Sequence, residues 1–434
     1  MSFDVKTAFL HTKLSTVIFC KQIPGFLETD SSTVLRLLIA LYGLKQSSYK
    51  IYMLLHKLMT HLGMTHCEVD HAVFYGSWSS LPADTIPMPS NGDNLILMVP
   101  IHVDDGLVIT NSIPLYTWFL SKLSKELEVV DLSPISMFLA IHIHHDRPCR
   151  KLYLSQKSFI TDLLDTWNMS ASHPSPVLLR QKLHELPPLP LNSIPNVHDN
   201  DIKVNFQRLV GNLIYLAVCT HPDIAYVAMV LGQYNTSPTR AHLLAAKGIL
   251  CYLVGTTDLS LEFGVDQSVI SPPIRGVSRC CAVTDADWAT DKKDRWSISG
   301  YCFYFLNSLV SWLLVKQKTV SLSSTESEYY AITHAMKEAL WMCLFLTIHN
   351  LPVPQPFPLL CDNQSALALI ESEAISSRSK HIDVRYHFIC DHISEGSFQT
   401  TWIPTSDMTA DIFTKPLLSP LFLKHCDALG LVFH

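Results

Sequence analysis

Charge is scarce in this sequence. Asp, Glu, Lys and Arg make up 16% of its 434 residues, against the ~25% usual for a globular domain. Apolar residues, at 48%, are ordinary in number. The shortage of charge therefore does not signal disorder, which combines low hydrophobicity with high net charge. Long apolar runs are also missing. No uninterrupted stretch approaches the ~18 residues that would span a bilayer, and the most apolar windows, 35–44 and 209–218, are short. No membrane partner is expected. A secretion leader is not visible, because Met1 runs straight into a charged strand, Phe3-Asp4-Val5-Lys6. The 12 cysteines include no C-x-x-C pair, which argues against a zinc knuckle or a dithiol redox motif and favours reduced thiols. Basic residues do not outnumber acidic ones: 32 against 38, a net charge of −6. A chain held to nucleic acid by phosphate contacts is usually more basic, although whole-chain charge says nothing of local patches.

At roughly 100–200 residues per domain, the length allows two to four domains, and three blocks are visible. In the first, 1–131, residues 45–62 read as a helix, with Ile51, Leu54, Leu55, Leu58 and Leu62 at three- and four-residue spacing. Pro82, Pro87, Pro89 and Asn91-Gly92 mark a loop. Two β-like runs, 95–103 and 107–109, flank Asp104-Asp105-Gly106 as a strand–turn–strand unit. The second block, 132–276, reads as helices over 155–167 and 206–231, with a Pro- and Leu-rich linker over 174–195 between them. The third, 277–434, opens with strands over 279–285, 298–305 and 309–315, turning at Asn307-Ser308. A long helix over 323–348 follows, then a strand over 357–361, a helix after Asp362, a strand over 398–403 and a last helix from Ser406. That order makes a mixed five-stranded sheet with helical layers, so the fold class is α+β or α/β, multidomain.

Carboxylates at element ends are the chemical signal. Asp285 ends a strand, Glu328 lies in the first turn of the long helix, Asp362 ends another strand, and Asp411 starts the last helix. Strand ends and helix starts can converge at one sheet edge, and four hard oxygen donors suffice for two Mg²⁺ ions about 3.5–4 Å apart. Three of these acids also have a plainer reading. Glu328 and Asp411 suit helix starts through the dipole, and Asp362 suits an Asx turn. In the first block, Asp4 sits in a short strand and Asp104-Asp105 in a hairpin turn. Together they would hold two Mg²⁺ for nucleotidyl transfer; alone, D-D-G is simply a good turn. Phe9 has core packing as its plain reading, as do Trp296, Trp312 and Trp341. His142, His144, His145 and Asp146 form a weak metal-like tract. Arg378, Lys380, His381 and Arg385 form a basic cluster that either tracks a nucleic-acid backbone or is a solvated helix face.

Taken together these motifs resemble the Pol region of copia-type (pseudoviral) LTR retrotransposons over nearly the whole chain. Asp4-Val5-Lys6-Thr7-Ala8-Phe9-Leu10 is similar to the first metal-binding motif of the family's reverse transcriptase, and Leu41-Tyr42-Gly43-Leu44-Lys45-Gln46 to its template- and nucleotide-contacting motif. His102-Val103-Asp104-Asp105 resembles Y-V-D-D. The resemblance implies metal binding and catalysis by Asp4, Asp104 and Asp105. It implies that Phe9 screens the sugar 2′ position and that Gly43, Lys45 and Gln46 contact substrate. The later motifs resemble the family's ribonuclease H: Thr284-Asp285-Ala286-Asp287-Trp288-Ala289, Ser323-Ser324-Thr325-Glu326-Ser327-Glu328-Tyr329, Cys361-Asp362-Asn363-Gln364 and Ala410-Asp411-Ile412-Phe413-Thr414-Lys415-Pro416. There the implied metal ligands and catalytic residues are Asp285, Glu328, Asp362 and Asp411, with Glu326 the alternative ligand to Glu328.

The resemblance implies a reverse transcriptase palm (1–131), a thumb or connection region (132–276) and an RNase H-like domain (277–434). Two Mg²⁺ per active site, or Mn²⁺, would be the cofactors. RNA–DNA hybrid, RNA template, DNA primer and dNTP would be the partners, in a virus-like particle or the nucleus. Several positions depart from the family pattern. His102 replaces Tyr, Ser47-Ser48-Tyr49 stands for A-P-R, Ile51 for Trp, Ala140 for Gly and His221 for Arg. The family has a fingers subdomain before the strand of Asp4, so a crippled polymerase beside an intact ribonuclease H is expected. The alternative is an inactive remnant that at most binds nucleic acid. No His lies between Trp402 and Asp411, so proton transfer to the leaving group would fall to water or metal.

Overall fold

The computed structural model describes residues 1–23, 25, 33–79, 86, 89, 93–176, 197–264, 280–289, 294–371 and 383–434. The expected loop at Pro82, Pro87 and Asn91-Gly92, nearly all of the Pro-rich linker, and Arg378, Lys380 and His381 lie outside the described residues. The chain divides into two compact units, Met1–Leu139 and Ala140–His434.

In the first unit an antiparallel sheet runs in the order Thr65–His66, Val73–Trp78, Leu95–His102, Asp105–Leu107, Ser2–Val5, Val129–Asp131. Alternate residues Leu95, Leu97 and Val99 point into the core, the two-residue period of a half-buried strand. The helix expected over 45–62 spans Lys45–His61 and buries Ile51, Leu55 and Met59. A second helix, Ile113–Leu123, was not evident in the sequence. Its N-cap Ser112 accepts from the Leu115 N–H at 3.4 Å, and Leu115, Tyr116, Phe119 and Leu123 join the same core as Phe3 and Val5.

The second unit contains a ladder of Ile141–Asp146, Lys151–Ser155, Leu259–Gly264 and Leu431–Phe433, all antiparallel. Its other sheet has the order Ser308–Lys316, Ile298–Phe305, Cys281–Asp287, Phe357–Cys361, Phe398–Trp402. The first three strands are antiparallel and the last two pair in parallel, the mixed five-stranded sheet expected from the element order. Both of its faces are covered. Ala282, Tyr301 and Phe303 pack with Tyr329, Ile332 and Met336 of the long helix Ser324–Ile348. Cys281, Val283, Cys302 and Tyr304 pack with Leu209, Leu213 and Ile224 of the middle block and with Phe413. Double coverage explains why Cys281–Asp287 is almost continuously buried.

Three expectations are corrected. The helix expected over 206–231 is broken. It runs as Val197–Cys219, a 3₁₀ turn Pro222–Ile224, then Ala225–Gly232, because Pro222 has no N–H to continue the ladder. The helix expected from Ser406 is instead a 3₁₀ turn Thr405–Asp407, a four-residue helix Asp411–Thr414 and a last helix Ser419–Ala428. Asp411 thus starts a short helix, not the last one. Asp105 is the first residue of a strand rather than a turn residue. The hairpin bends at Val103, in the left-handed region at φ 59°. Among the described residues one helix, Ser324–Ile348, is long and apolar enough to cross a membrane. Its Glu326, Glu328, Tyr329 and Met336 are buried within the unit.

Candidate metal centres

The central strand Cys281–Asp287 delivers Asp285 into a buried corner. Opposite it in the ladder is Gly300. A Cβ on Gly300 would lie 2.8 Å from the Phe413 Cβ and 2.9 Å from the Thr414 Cγ2. The bare backbone at 300 is what lets the short helix Asp411–Thr414 lie against this strand. Asp411 and Thr414 thereby reach Asp285, whose Oδ2 accepts from the Thr414 hydroxyl. Glu328 comes from the second turn of the long helix and accepts from the Ala286 backbone N–H. Asp362 follows the strand Phe357–Cys361. Its Oδ2 accepts from Thr405 Oγ1 at 2.7 Å, and its carbonyl from Trp402 Nε1 at 3.2 Å.

Carboxylate oxygens of Asp285, Glu328 and Asp362 lie within 4.8 Å of one another. Asp411 stands against the same group, and Lys415 Nζ lies 2.8 Å from its Oδ1 and 3.8 Å from Asp285 Oδ2. Burial raises the pKa of Asp285, with Asp362 and Asp287 adding repulsion against the opposing pull of Lys415 and Thr414. Glu328 is raised well above the usual range, by burial first and then by Asp285 and Asp362. Asp411 is pushed up to about 7, by burial and by Asp285. Acids that raise one another's proton affinity in a buried corner are a hard, anionic donor set of the kind a divalent cation takes.

Glu326 has a different occupation. Its backbone N–H donates to the N-cap Ser323 Oγ at 3.1 Å, and its Oε2 accepts from the Leu322 N–H at 2.6 Å. It closes the helix start as a capping residue. His425, on the last helix, is buried, and its pKa is pushed down to about 4 by burial and by Lys424. It is therefore neutral at pH 7. The sequence gives Gly300 no mark, and it carries Thr414 and Lys415 only as members of the Ala410–Pro416 motif, without a role of their own. The signal available for the last two was their place three and four residues beyond Asp411.

In the first unit the strand pairing sets Asp4 opposite Asp105, and the Val5 N–H donates to the Asp104 carbonyl at 3.0 Å. Burial raises the pKa of Asp4, and Asp104 and Asp105 raise it further against Lys6. Asp105 is raised by burial and Asp104, with His102 opposing. The three acids thus share one field. Gly106 allows this, since a Cβ there would meet the Phe3 ring at 2.2 Å. Phe9 is buried in a 3₁₀ turn and meets Tyr42 edge-on at 4.7 Å between centroids. Gly43 has φ 88°, in the left-handed region that suits glycine, and Lys45 and Gln46 are exposed at the start of the following helix.

The weaker constellations fall elsewhere. His142 pairs with Ser158 Oγ at 2.8 Å, and His144 packs on Tyr153 and His434. Arg385 stacks over the Tyr330 ring at 3.8 Å. Trp312 donates to the Ala217 carbonyl at 2.9 Å, whereas Trp341, expected in the core, is 36% exposed and stacks on Phe345.

Residues 1–179 match the reverse transcriptase (RNA-dependent DNA polymerase) family. The retrovirus-related Pol polyprotein from transposon TNT 1-94 of Nicotiana tabacum is 34% identical over 413 residues, 95% of this chain and 29% of that protein. The corresponding polyprotein from transposon RE1 of Arabidopsis thaliana is 33% identical over 430 residues, 98% of this chain and 27% of that protein. The chain thus spans less than a third of the length of these relatives. Among solved structures, RNase H1 from the halophilic archaeon Halobacterium salinarum aligns with 32% of this chain and 95% of its own, at 14% identity and a TM-score of 0.23.

Proposed function

Because this chain belongs to the Pol polyproteins of copia-type retrotransposons, we propose that its second unit cleaves the RNA strand of RNA–DNA hybrids. One observation carries the reading: buried or half-buried carboxylates from two strand ends and a helix bring their oxygens within 4.8 Å of one another. Asp285, Glu328, Asp362 and Asp411 would hold two divalent cations, Mg²⁺ by the hardness of the donors or Mn²⁺ in its place. When bound, such ions neutralise the scissile phosphate and make water a competent nucleophile.

The chain's own residues do the rest. Thr414 fixes the Asp285 rotamer by donating to it, and Thr405 does the same for Asp362. Asp362, half-buried where its three companions are buried, is the acid nearest the surface and therefore nearest substrate. Selection of a hybrid would rest on backbone shape and 2′-hydroxyl contacts rather than base sequence.

The first unit, on the same reading, is the palm of an RNA-directed DNA polymerase. Asp4, Asp104 and Asp105 would hold the metals for nucleotidyl transfer from dNTP to a DNA primer on an RNA template. Phe9, braced by Tyr42, would lie beneath the sugar, with Gly43, Lys45 and Gln46 at the template and nucleotide.

The test is Mg²⁺-dependent cleavage of a labelled RNA–DNA hybrid by the full chain and by Asp362→Asn. The variant keeps the shape but loses a charge the ions need, so cleavage should drop to background while the melting temperature stays near that of the parent. Equal cleavage by both chains would refute the site. No cleavage by the parent, with hybrid binding retained, would favour an inactive, nucleic-acid-binding remnant.

A further inference from the structure

The acid cluster contains a cation of its own. Lys415 lies four residues beyond Asp411, and its Nζ reaches both Asp411 and Asp285, at 2.8 and 3.8 Å. The position is imposed by the backbone. The short helix ends at Lys415, which turns extended while its N–H still donates to the Asp411 carbonyl at 3.1 Å. Burial by itself lowers the proton affinity of this amine, but Asp285 and Asp411 outweigh it and favour the charged ammonium. Among the described residues the Thr414 hydroxyl donates to Asp285 and the Ala286 N–H to Glu328, and both donors are neutral.

Lys415 also lines a cavity of about 60 Å³, together with Asp223, Tyr226 and Phe422. Asp223 is 1% exposed; one of its carboxylate oxygens accepts from Tyr252 Oη at 2.5 Å, and among the described residues the other meets no side-chain donor. A second carboxyl-bearing residue therefore lines the cavity that Lys415 lines.

We propose that Lys415 is the resident cation of the metal-free cluster, holding Asp285 and Asp411 together until a divalent ion displaces it toward the Asp223 cavity. The proposal rests on the reading of these acids as metal ligands. Its physical basis is that like charges repel. An ammonium about 3 Å from a carboxylate occupies space where a divalent ion would sit, and the two cations cannot share it at low dielectric. Lys415 is thus a positioning residue that competes with metal.

The experiment compares the full chain with Lys415→Met and Lys415→Arg by calorimetric titration with Mg²⁺ and by melting with and without the ion. Without metal, Lys415→Met should melt below the parent, because the acids lose their counter-charge. It should bind Mg²⁺ about tenfold more tightly, a change of about 1.4 kcal/mol, because the competitor is gone. Lys415→Arg, which keeps the charge, should titrate like the parent. Unchanged or weaker Mg²⁺ binding by Lys415→Met overturns the proposal, since a merely structural lysine would loosen the site when removed.

The parent supplies a second measurement that does not depend on the variant folding. The NMR signal of the Lys415 side-chain terminus should move when Mg²⁺ is added, and a stationary signal overturns displacement. Asp285→Asn separates the two readings. A parent-like metal response in that variant overturns the metal site itself. A lost response there, with Lys415→Met unchanged from the parent, overturns the lysine's role alone.

Discussion

At the scale of the residue, Asp411 shows what it costs to gather acids in a buried corner. Its carboxyl, ordinarily near 3.8, titrates at about 7 in the fold because burial and Asp285 disfavour its charge. The folded chain therefore binds this proton more tightly than the unfolded chain does. Its contribution to stability is full below about pH 4 and is lost as pH rises through 7. Metal-free protein should accordingly melt at falling temperature from pH 4 to pH 7, and Asp411→Asn should flatten that slope. Saturating Mg²⁺, which takes the ionised acids, should flatten it as well. A parent slope unaffected by the substitution would place the titration elsewhere. The clustered acids could be picked out of the sequence because they lie at or near element ends: Asp362 follows a strand, Asp411 starts a short helix, Asp285 is two residues from a strand's end and Glu328 is in the second turn of its helix. Their helpers could not. Nothing in the order of residues says that Thr414 will meet Asp285, since that contact depends on two elements packing across a strand.

At the scale of the element, one glycine decides whether the site forms. With Gly300 opposite Asp285, the helix Asp411–Thr414 lies at backbone distance from the strand. Gly300→Ala would drive a methyl into Phe413 and Thr414, atoms with no flexible end to yield. Overpacking of this kind costs about 1–3 kcal/mol. The variant should melt lower than the parent and lose most hybrid cleavage, because Asp411 and Thr414 move away from Asp285. Parent-like cleavage would show that the close approach is dispensable.

Elements with a strong period or a sharp boundary could be read in advance. The strands Ile298–Phe305 and Phe357–Cys361 and the helix Lys45–His61 lie where alternation, flanking turns and apolar spacing put them. The helix Ile113–Leu123 escaped because Leu115, Tyr116, Trp118, Phe119 and Leu120 leave little polar contrast from which to take a period. The stretch over 206–231 misled for the opposite reason. Its apolar pattern continues across Pro222, although the backbone hydrogen bonds do not.

At the scale of the whole molecule, the second and third blocks that sequence separates form one unit in the fold. The final strand, Leu431–Phe433, completes its ladder on Leu259–Gly264. Tyr304 of the mixed sheet shares a core with Leu209 and Leu213, and Trp312 donates to the carbonyl of Ala217. Residues 280–434 expressed alone would expose that core face and leave the last strand unpaired. The fragment should aggregate in size-exclusion chromatography, whereas residues 140–434 should elute as a compact species. A monodisperse, cooperatively melting fragment would contradict this.

The last strand's attachment to the middle block also bears on how such a sequence decays in a genome. A deletion confined to the middle block, sparing every acid of the cluster, would remove the surface on which the mixed sheet and its acids are folded. Copies of the gene would then lose the acid cluster through losses far from any codon that specifies it. On this account the cluster is inherited intact only where residues 140–434 stay together as one unit.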